Sequence, residues 1–191
     1  MAFSVTDFIQ ASGDGARPTL FAVQLNWPDG VPSNGANITA PLLIKSTSVP
    51  QMNLGQIEVP FMGRTVKVAG DRTFDDWETT VINDQAYFVR ANLEAWNNAI
   101  NGMRSNTQSV APLAYRSTAK LIQFDRSGVP IREYEMINIW PQTIASIDLD
   151  WESTDSIEEF SVTWSFDYFT ASGPTGSIGE SLGERVLNAL G

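Results

Sequence analysis

Two stretches near the middle of the chain, residues 64–70 (RTVKVAG) and 77–83 (WETTVIN), alternate apolar with polar side chains. A period of two is the sign of strands buried on one face. The period changes directly afterwards. Val89, Leu93, Trp96, Ile100 and Met103 recur at steps of four and three, which predicts an amphipathic helix over residues 87–101 with those side chains on its inner stripe. Further strands are expected at residues 20–26, 42–49 and 55–61, with Gly63 turning the chain from the last of these into residues 64–70. Residues 119–125 and 131–140 read as a hairpin around the turn RSGVP. Two final strands are expected. Residues 146–152 sort Ile147, Leu149 and Trp151 from Asp148, Asp150 and Glu152, and residues 160–169 sort Val162, Trp164, Phe166 and Tyr168 from Ser161, Thr163, Ser165 and Asp167.

The segments between are punctuated by turn formers. Residues 1–19 carry apolar patches at Phe3 and Phe8 before a Gly, Asp and Pro cluster, and read as an N-terminal arm or short helix. Residues 27–41 hold three prolines and two glycines and read as a long loop. Gly102 is placed to cap the helix, and residues 106–112 to connect it onward. Residues 171–191 form a C-terminal arm, a Gly and Ser linker followed by a short helix at 180–190 with Leu182, Val186 and Leu190 at spacing four. About eight strands and one central helix make the class mainly β, a sandwich or partly closed barrel with one flanking α-helix, because each strand layer must bury its apolar row. The whole of 1–191 is expected to be a single domain.

Composition narrows the chemistry. The chain has 191 residues, 42% of them hydrophobic, with ten Phe and six Trp, which suffices for a substantial core. It contains no cysteine and no histidine. Thiol nucleophiles, imidazole bases, disulfides and the usual zinc cages are therefore excluded. No apolar run approaches the ~20 residues of a membrane span and no basic, apolar leader opens the sequence, so the expectation is a soluble protein with no membrane partner. The net charge is −10, from 22 Asp and Glu against 12 Lys and Arg. Such a surface repels phosphate and argues against tight nucleic-acid binding.

The remaining candidate sites are weak. Asp148, Asp150 and Glu152 on one side of a strand could face a hard cation or serve as acid and base, but a solvated strand face is the simpler reading. Asp71, Asp75, Asp76 and Glu78 gather where a turn meets a strand, as Asp commonly does. The pairs Gly13 and Gly15, and Gly179 and Gly183, lack the Lys and Ser or Thr of a phosphate loop. Six tryptophans could line a sugar site, yet Trp96, Trp151 and Trp164 fall on the apolar sides of their elements and are expected in the core. No catalytic, metal or cofactor site is predicted.

Residues 61–101 (FMGRTVKVAGDRTFDDWETTVINDQAYFVRANLEAWNNAIN), 121–151 (LIQFDRSGVPIREYEMINIWPQTIASIDLDW) and 157–169 (IEEFSVTWSFDYF) together resemble the tail-tube proteins of contractile-tailed bacteriophages. The resemblance implies a sandwich with a flanking helix, shared with the tube proteins of type VI secretion and R-type bacteriocins, that assembles as stacked hexameric rings into the inner tube of a tail. It implies no enzymatic activity and no cofactor. The expected partners are further copies of the chain, the tail sheath protein, and baseplate and tail-terminator proteins, with tape-measure protein and phage DNA passing through the lumen without specific binding. The expected location is the virion tail, assembled in the host cytoplasm.

Within that frame Gln56, Glu58, Thr65 and Lys67 are candidates to face the lumen, opposite Ile57, Val59, Val66 and Val68, which are expected to pack on the subunit's own core. Trp27, Val31 and Ile38, as apolar residues of a loop, are candidates for contacts between stacked rings. Arg90, Glu94 and Asn97, opposite the helix's apolar stripe, are candidates to contact the sheath. Two alternatives share these elements: the tube of a bacteriocin or secretion-type injection system, and a carbohydrate-binding β-sandwich using exposed Trp and paired carboxylates.

Overall fold

The computed structural model describes residues 4–174, apart from 14, 32, 34, 109 and 110. The predicted terminal helix at 180–190 and most of the C-terminal arm lie outside the described residues. In chain order the elements are α1 (Val5–Ser12), β1 (Phe21–Leu25), α2 (Ala36–Leu43), β2 (Ile44–Thr47), β3 (Met52–Phe61), β4 (Arg64–Phe74), β5 (Trp77–Ile82), α3 (Phe88–Ile100), α4 (Pro112–Tyr115), β6 (Ser117–Phe124), β7 (Pro130–Ile144), β8 (Glu159–Ser165) and β9 (Tyr168–Ser172). All strand pairs are antiparallel.

One long strand organises the body. The first part of β7 pairs with β6 and β9, and its last part pairs with β8, giving the order β1-β6-β7-β8-β5-β2 with β9 on β7. The change of neighbour falls at Asn138, an extra residue in the β6–β7 ladder that adopts φ +61°. Asparagine tolerates this left-handed conformation better than most side chains. Its Nδ2 donates to Asp167 Oδ2 at 2.7 Å, and Arg116 Nη1 reaches the same oxygen at 3.0 Å. Asp167 sits where β8 ends and β9 begins, so both chain corners are tied to one carboxylate.

Tryptophan fills the centre. Trp96 of α3 lies 4.9 Å from Trp27 and 5.9 Å from Trp164 between ring centroids. Trp77, Trp96 and Trp164 are buried, and each indole N–H has a partner: Ser48 O at 2.8 Å, Tyr115 O at 2.8 Å and Thr79 Oγ1 at 2.9 Å. Burying an indole costs little once its one donor is satisfied. Helix α3 covers the core through Val89, Leu93 and Trp96 as the spacing predicts. Its start is held by Asp84, whose carboxylate accepts the N–H groups of Phe88 at 3.0 Å and Val89 at 3.3 Å. Burial alone would raise the Asp84 pKa, but these donors outweigh it and hold it below the ordinary value.

Several expectations are corrected. Residues 36–41 of the expected loop and 42–43 of the expected strand form α2, with Pro41 inside it. Pro41 reads as a breaker, but in an eight-residue helix it costs a single backbone donor near the end. Met103 lies beyond the end of α3 and is exposed, and the cap residue is Asn101 rather than Gly102. The predicted strand at 160–169 divides at Phe166 and Asp167, which leaves Tyr168 outward and Phe169 buried. Residues 146–152 form no strand, and Trp151 is 102% exposed instead of core. The cause is pairing: the last ladder bond to β8 runs from Ala145 N–H to Ser161 O at 2.9 Å, and β8 begins at Glu159, so no strand is left to run beside residues 148–152.

Candidate assembly surfaces

Strands β3 and β4 pair only with each other, as a two-stranded ribbon joined to the body at its base, where Phe74 packs against Phe166 and Phe169. The turn at Met62 and Gly63, with φ +47° and +78°, matches the right-handed twist of a tight hairpin. The register places Ile57 opposite Val68, Val59 opposite Val66, Glu58 opposite Lys67, and Pro60 opposite Thr65. Opposed residues share a face. One face of the ribbon is therefore apolar, and the other brings the four predicted residues Gln56, Glu58, Thr65 and Lys67 together. Gln56 Nε2 donates to Glu58 Oε1 at 3.0 Å, and Lys67 Nζ lies 3.9 Å from the same oxygen.

The apolar face is not packed on the subunit's own core, contrary to expectation. Ile57 is 55% exposed, and Val59, Val66, Val68 and Phe61 are similarly open. Where the ribbon narrows, Gly55 and Gly70 lie backbone to backbone: a Cβ on Gly55 would stand 3.0 Å from Asp71 O, and one on Gly70 3.1 Å from the Gly55 carbonyl carbon. A side chain at either position would wedge the strands apart.

The three residues expected between rings separate. Val31 is buried in the core and Trp27 stacks near Trp96, whereas Ile38 on α2 is exposed, as is its neighbour Leu42. The 27–41 segment thus buries apolar residues that the sequence reading assumed a lone subunit would expose, because α2 folds back onto β1, β5 and α3.

Arg90, Glu94 and Asn97 do share one side of α3, but all three are engaged within the subunit. Arg90 Nε donates to Glu94 Oε1 at 2.9 Å, its Nη1 donates to Ala145 O at 2.9 Å, and its guanidinium lies 5.1 Å over the Phe160 ring. Asn97 Nδ2 donates to Pro141 O at 3.2 Å. The outermost positions of the helix are Ala91, Ala95 and Asn98. Ahead of the helix, Glu158 accepts Asn83 Nδ2 and the Tyr87 hydroxyl, each at 2.8 Å, which lowers its pKa from the ordinary value and raises that of Tyr87.

A further surface is apolar and open where a buried row is expected. Leu149, Trp151 and Ile157 are exposed along residues 146–158, interleaved with Asp148, Asp150, Glu152 and Asp155. Among the described residues no ion pair includes these four carboxylates, and no group of three or more His, Cys, Asp and Glu is arranged to hold a metal. A cleft of about 650 Å³ beside Trp27 is lined by nine residues, of which Asp29 alone is ionisable. That lining offers no acid and base pair.

Residues 16–172 match the family model described as phage tail tube protein. The chain is 36% identical over 159 residues to the tail tube protein of Enterobacteria phage T4, covering 83% of this chain and 93% of that protein. It is 29% identical over 171 residues to the tail tube protein of Serratia phage KSP90, covering 88% and 96%. Its fold is similar to a chain of the anti-feeding prophage baseplate, with TM-score 0.62, 13% identity, and 83% and 95% coverage. It is also similar to one in the sheath-tube complex of an extracellular contractile injection system in its extended state, with TM-score 0.58, 16% identity, and 90% and 99% coverage. The family match spans the seven-stranded sheet, the ribbon and α3 together, and the chain belongs to the phage tail tube protein family.

Proposed function

We propose that the chain, acting as a single domain, builds the inner tube of a contractile phage tail as stacked hexameric rings that conduct DNA, with no enzymatic role. The observation that carries this reading is the ribbon, whose apolar face has no cover within the subunit. A face of that kind is stable in water when another surface closes over it, and subunits arranged in a ring supply such a surface repeatedly. Pairing across copies also removes open strand edges that would otherwise invite uncontrolled aggregation.

With the apolar face turned to neighbouring protein, Gln56, Glu58, Thr65 and Lys67 face the lumen. Glu58 and Lys67 oppose one another, so this part of the wall offers a passing polyanion little net attraction. The reach of any excess charge is about 8 Å at physiological salt, which limits adhesion at the wall rather than holding DNA at the axis. Sheath protein contacts the side of α3 that carries Arg90, Glu94 and Asn97, and baseplate and terminator proteins meet the two ends of the tube. Ile38 on α2 and the terminal arms are placed between rings. Tape-measure protein and DNA pass through without specific binding, and assembly occurs in the host cytoplasm before the tail joins the virion.

Electron microscopy of the purified protein tests the reading. Rings or hollow tubes are expected, while a protein that stays monomeric at high concentration and binds saccharide would favour the carbohydrate-binding sandwich instead.

A further inference from the structure

Residues 146–152 alternate as a strand does, yet they have no ladder. Among the described residues none of their N–H groups donates to a backbone carbonyl, Leu149 is 75% exposed and Trp151 is fully open. The ribbon is the complementary feature: two paired strands with both outer edges unpaired. We propose that residues 146–152 of one copy become a third strand on the β4 edge of the ribbon of a second copy, an inference that rests on the self-assembly reading above.

Four observations select this occupant. Both features lack a ladder partner within the single subunit: in the segment Ile147 packs partly on its own core and Glu152 N–H donates to Asp150 Oδ1 in a turn, while among the described residues the backbone N–H groups of 148–151 and the side chains of Leu149 and Trp151 are left open. The β3 edge is blunted by Pro60, which has no N–H to donate, and carries Glu58 on the polar face, which would repel the incoming carboxylates. The β4 edge presents Lys67 there instead. Finally, the register is specified by pattern, since a slip of one residue would turn every apolar side chain to the polar face.

An antiparallel register with Leu149 opposite Val66 satisfies both faces. Ile147 then lies opposite Val68, and Trp151 opposite Arg64, where a guanidinium can rest on the indole. On the other face Asp148 meets Lys67 and Asp150 meets Thr65. The added strand would extend the apolar face and would place two further carboxylates on the face proposed to line the lumen.

The absence of cysteine allows a direct test. Leu149→Cys and Val66→Cys proteins, prepared separately, are mixed, assembled and oxidised, so that any heterodisulfide joins different copies. The expected yield is at least tenfold above that of Asp148→Cys mixed with Val66→Cys, whose side chains point to opposite faces. A charge swap gives a second reading: Asp148→Lys should slow tube growth several-fold, and adding Lys67→Asp in the same chain should restore it. Tubes that form normally with no excess of the Leu149 to Val66 disulfide would overturn the inference and assign the segment to another occupant, leaving the self-assembly reading intact. A wild-type protein that forms neither rings nor tubes would overturn both.

Discussion

Strands β5 and β8 and the ribbon β3–β4 carry the same alternating pattern and have opposite fates. In the first pair Trp77, Thr79, Val81, Phe160, Val162 and Trp164 turn inward under α3 and vanish from solvent. In the ribbon Ile57, Val59, Val66 and Val68 are as regularly placed and stay half open. Alternation fixes which residues share a face, while what covers that face depends on elements elsewhere in the chain or in another chain. A covered face contributes to the stability of the subunit, and an open one is available for association.

Substitutions can break that contrast or sharpen it. The largest effect is expected at the covered face: Trp164→Ala should destabilise the subunit by about 3 to 5 kcal/mol in urea unfolding, through lost contacts and a cavity. A change near zero would show that the tryptophan cluster is not the core it appears in the fold. Next comes the cap of the covering helix, where Asp84→Ala should cost about 1 kcal/mol. The same group sets a pH dependence. Because its folded pKa lies below its unfolded value, its contribution is present above the unfolded value of 3.8 and is lost as pH falls through the folded one. Acid titration of the wild type and of Asp84→Ala should therefore converge below that range.

At the open face the balance reverses. Val59→Lys should move the unfolding midpoint by less than about 0.5 kcal/mol while suppressing rings and tubes in sedimentation. Comparable losses of folding and of assembly would mean that the ribbon's apolar face belongs to the subunit after all. The smallest effect is expected for Glu58→Lys. It removes one long, exposed ion pair worth about 0.2 kcal/mol and should leave the fold unchanged by circular dichroism.

The sequence was most readable where local pattern and tertiary partner agree. Val89, Leu93 and Trp96 lie on the buried face of α3, and the β6–β7 hairpin turns at the predicted loop, because each signal is complete within a short window. Readings failed where the deciding partner is remote or missing. Leu149 and Trp151 alternate as convincingly as Val162 and Trp164, yet no strand runs beside them in the subunit, whereas Ile147, close to the last bond to β8, still packs on the core as its place in the row implies. Val31 was misjudged because α2 was hidden by Pro41, and with the helix unseen nothing remained to bury it. Arg90 and Asn97 have helical spacing that faces away from the core, but the carbonyls of Ala145 and Pro141 that engage them become neighbours only through the path of β7.

That path also sets an order in time. On a ribosome β1 emerges early but must wait for β6, and β5 must wait for β8, since Thr79 and Trp164 meet across a separation of 85 residues. Closing so long a loop is slow compared with closing a hairpin. The ribbon has no such wait: its two strands follow one another directly and can zip as soon as they clear the exit. The subunit thus completes its open apolar face before its interior exists, and on the assembly proposed above the ribbons of neighbouring nascent chains can meet before β8 has been synthesised.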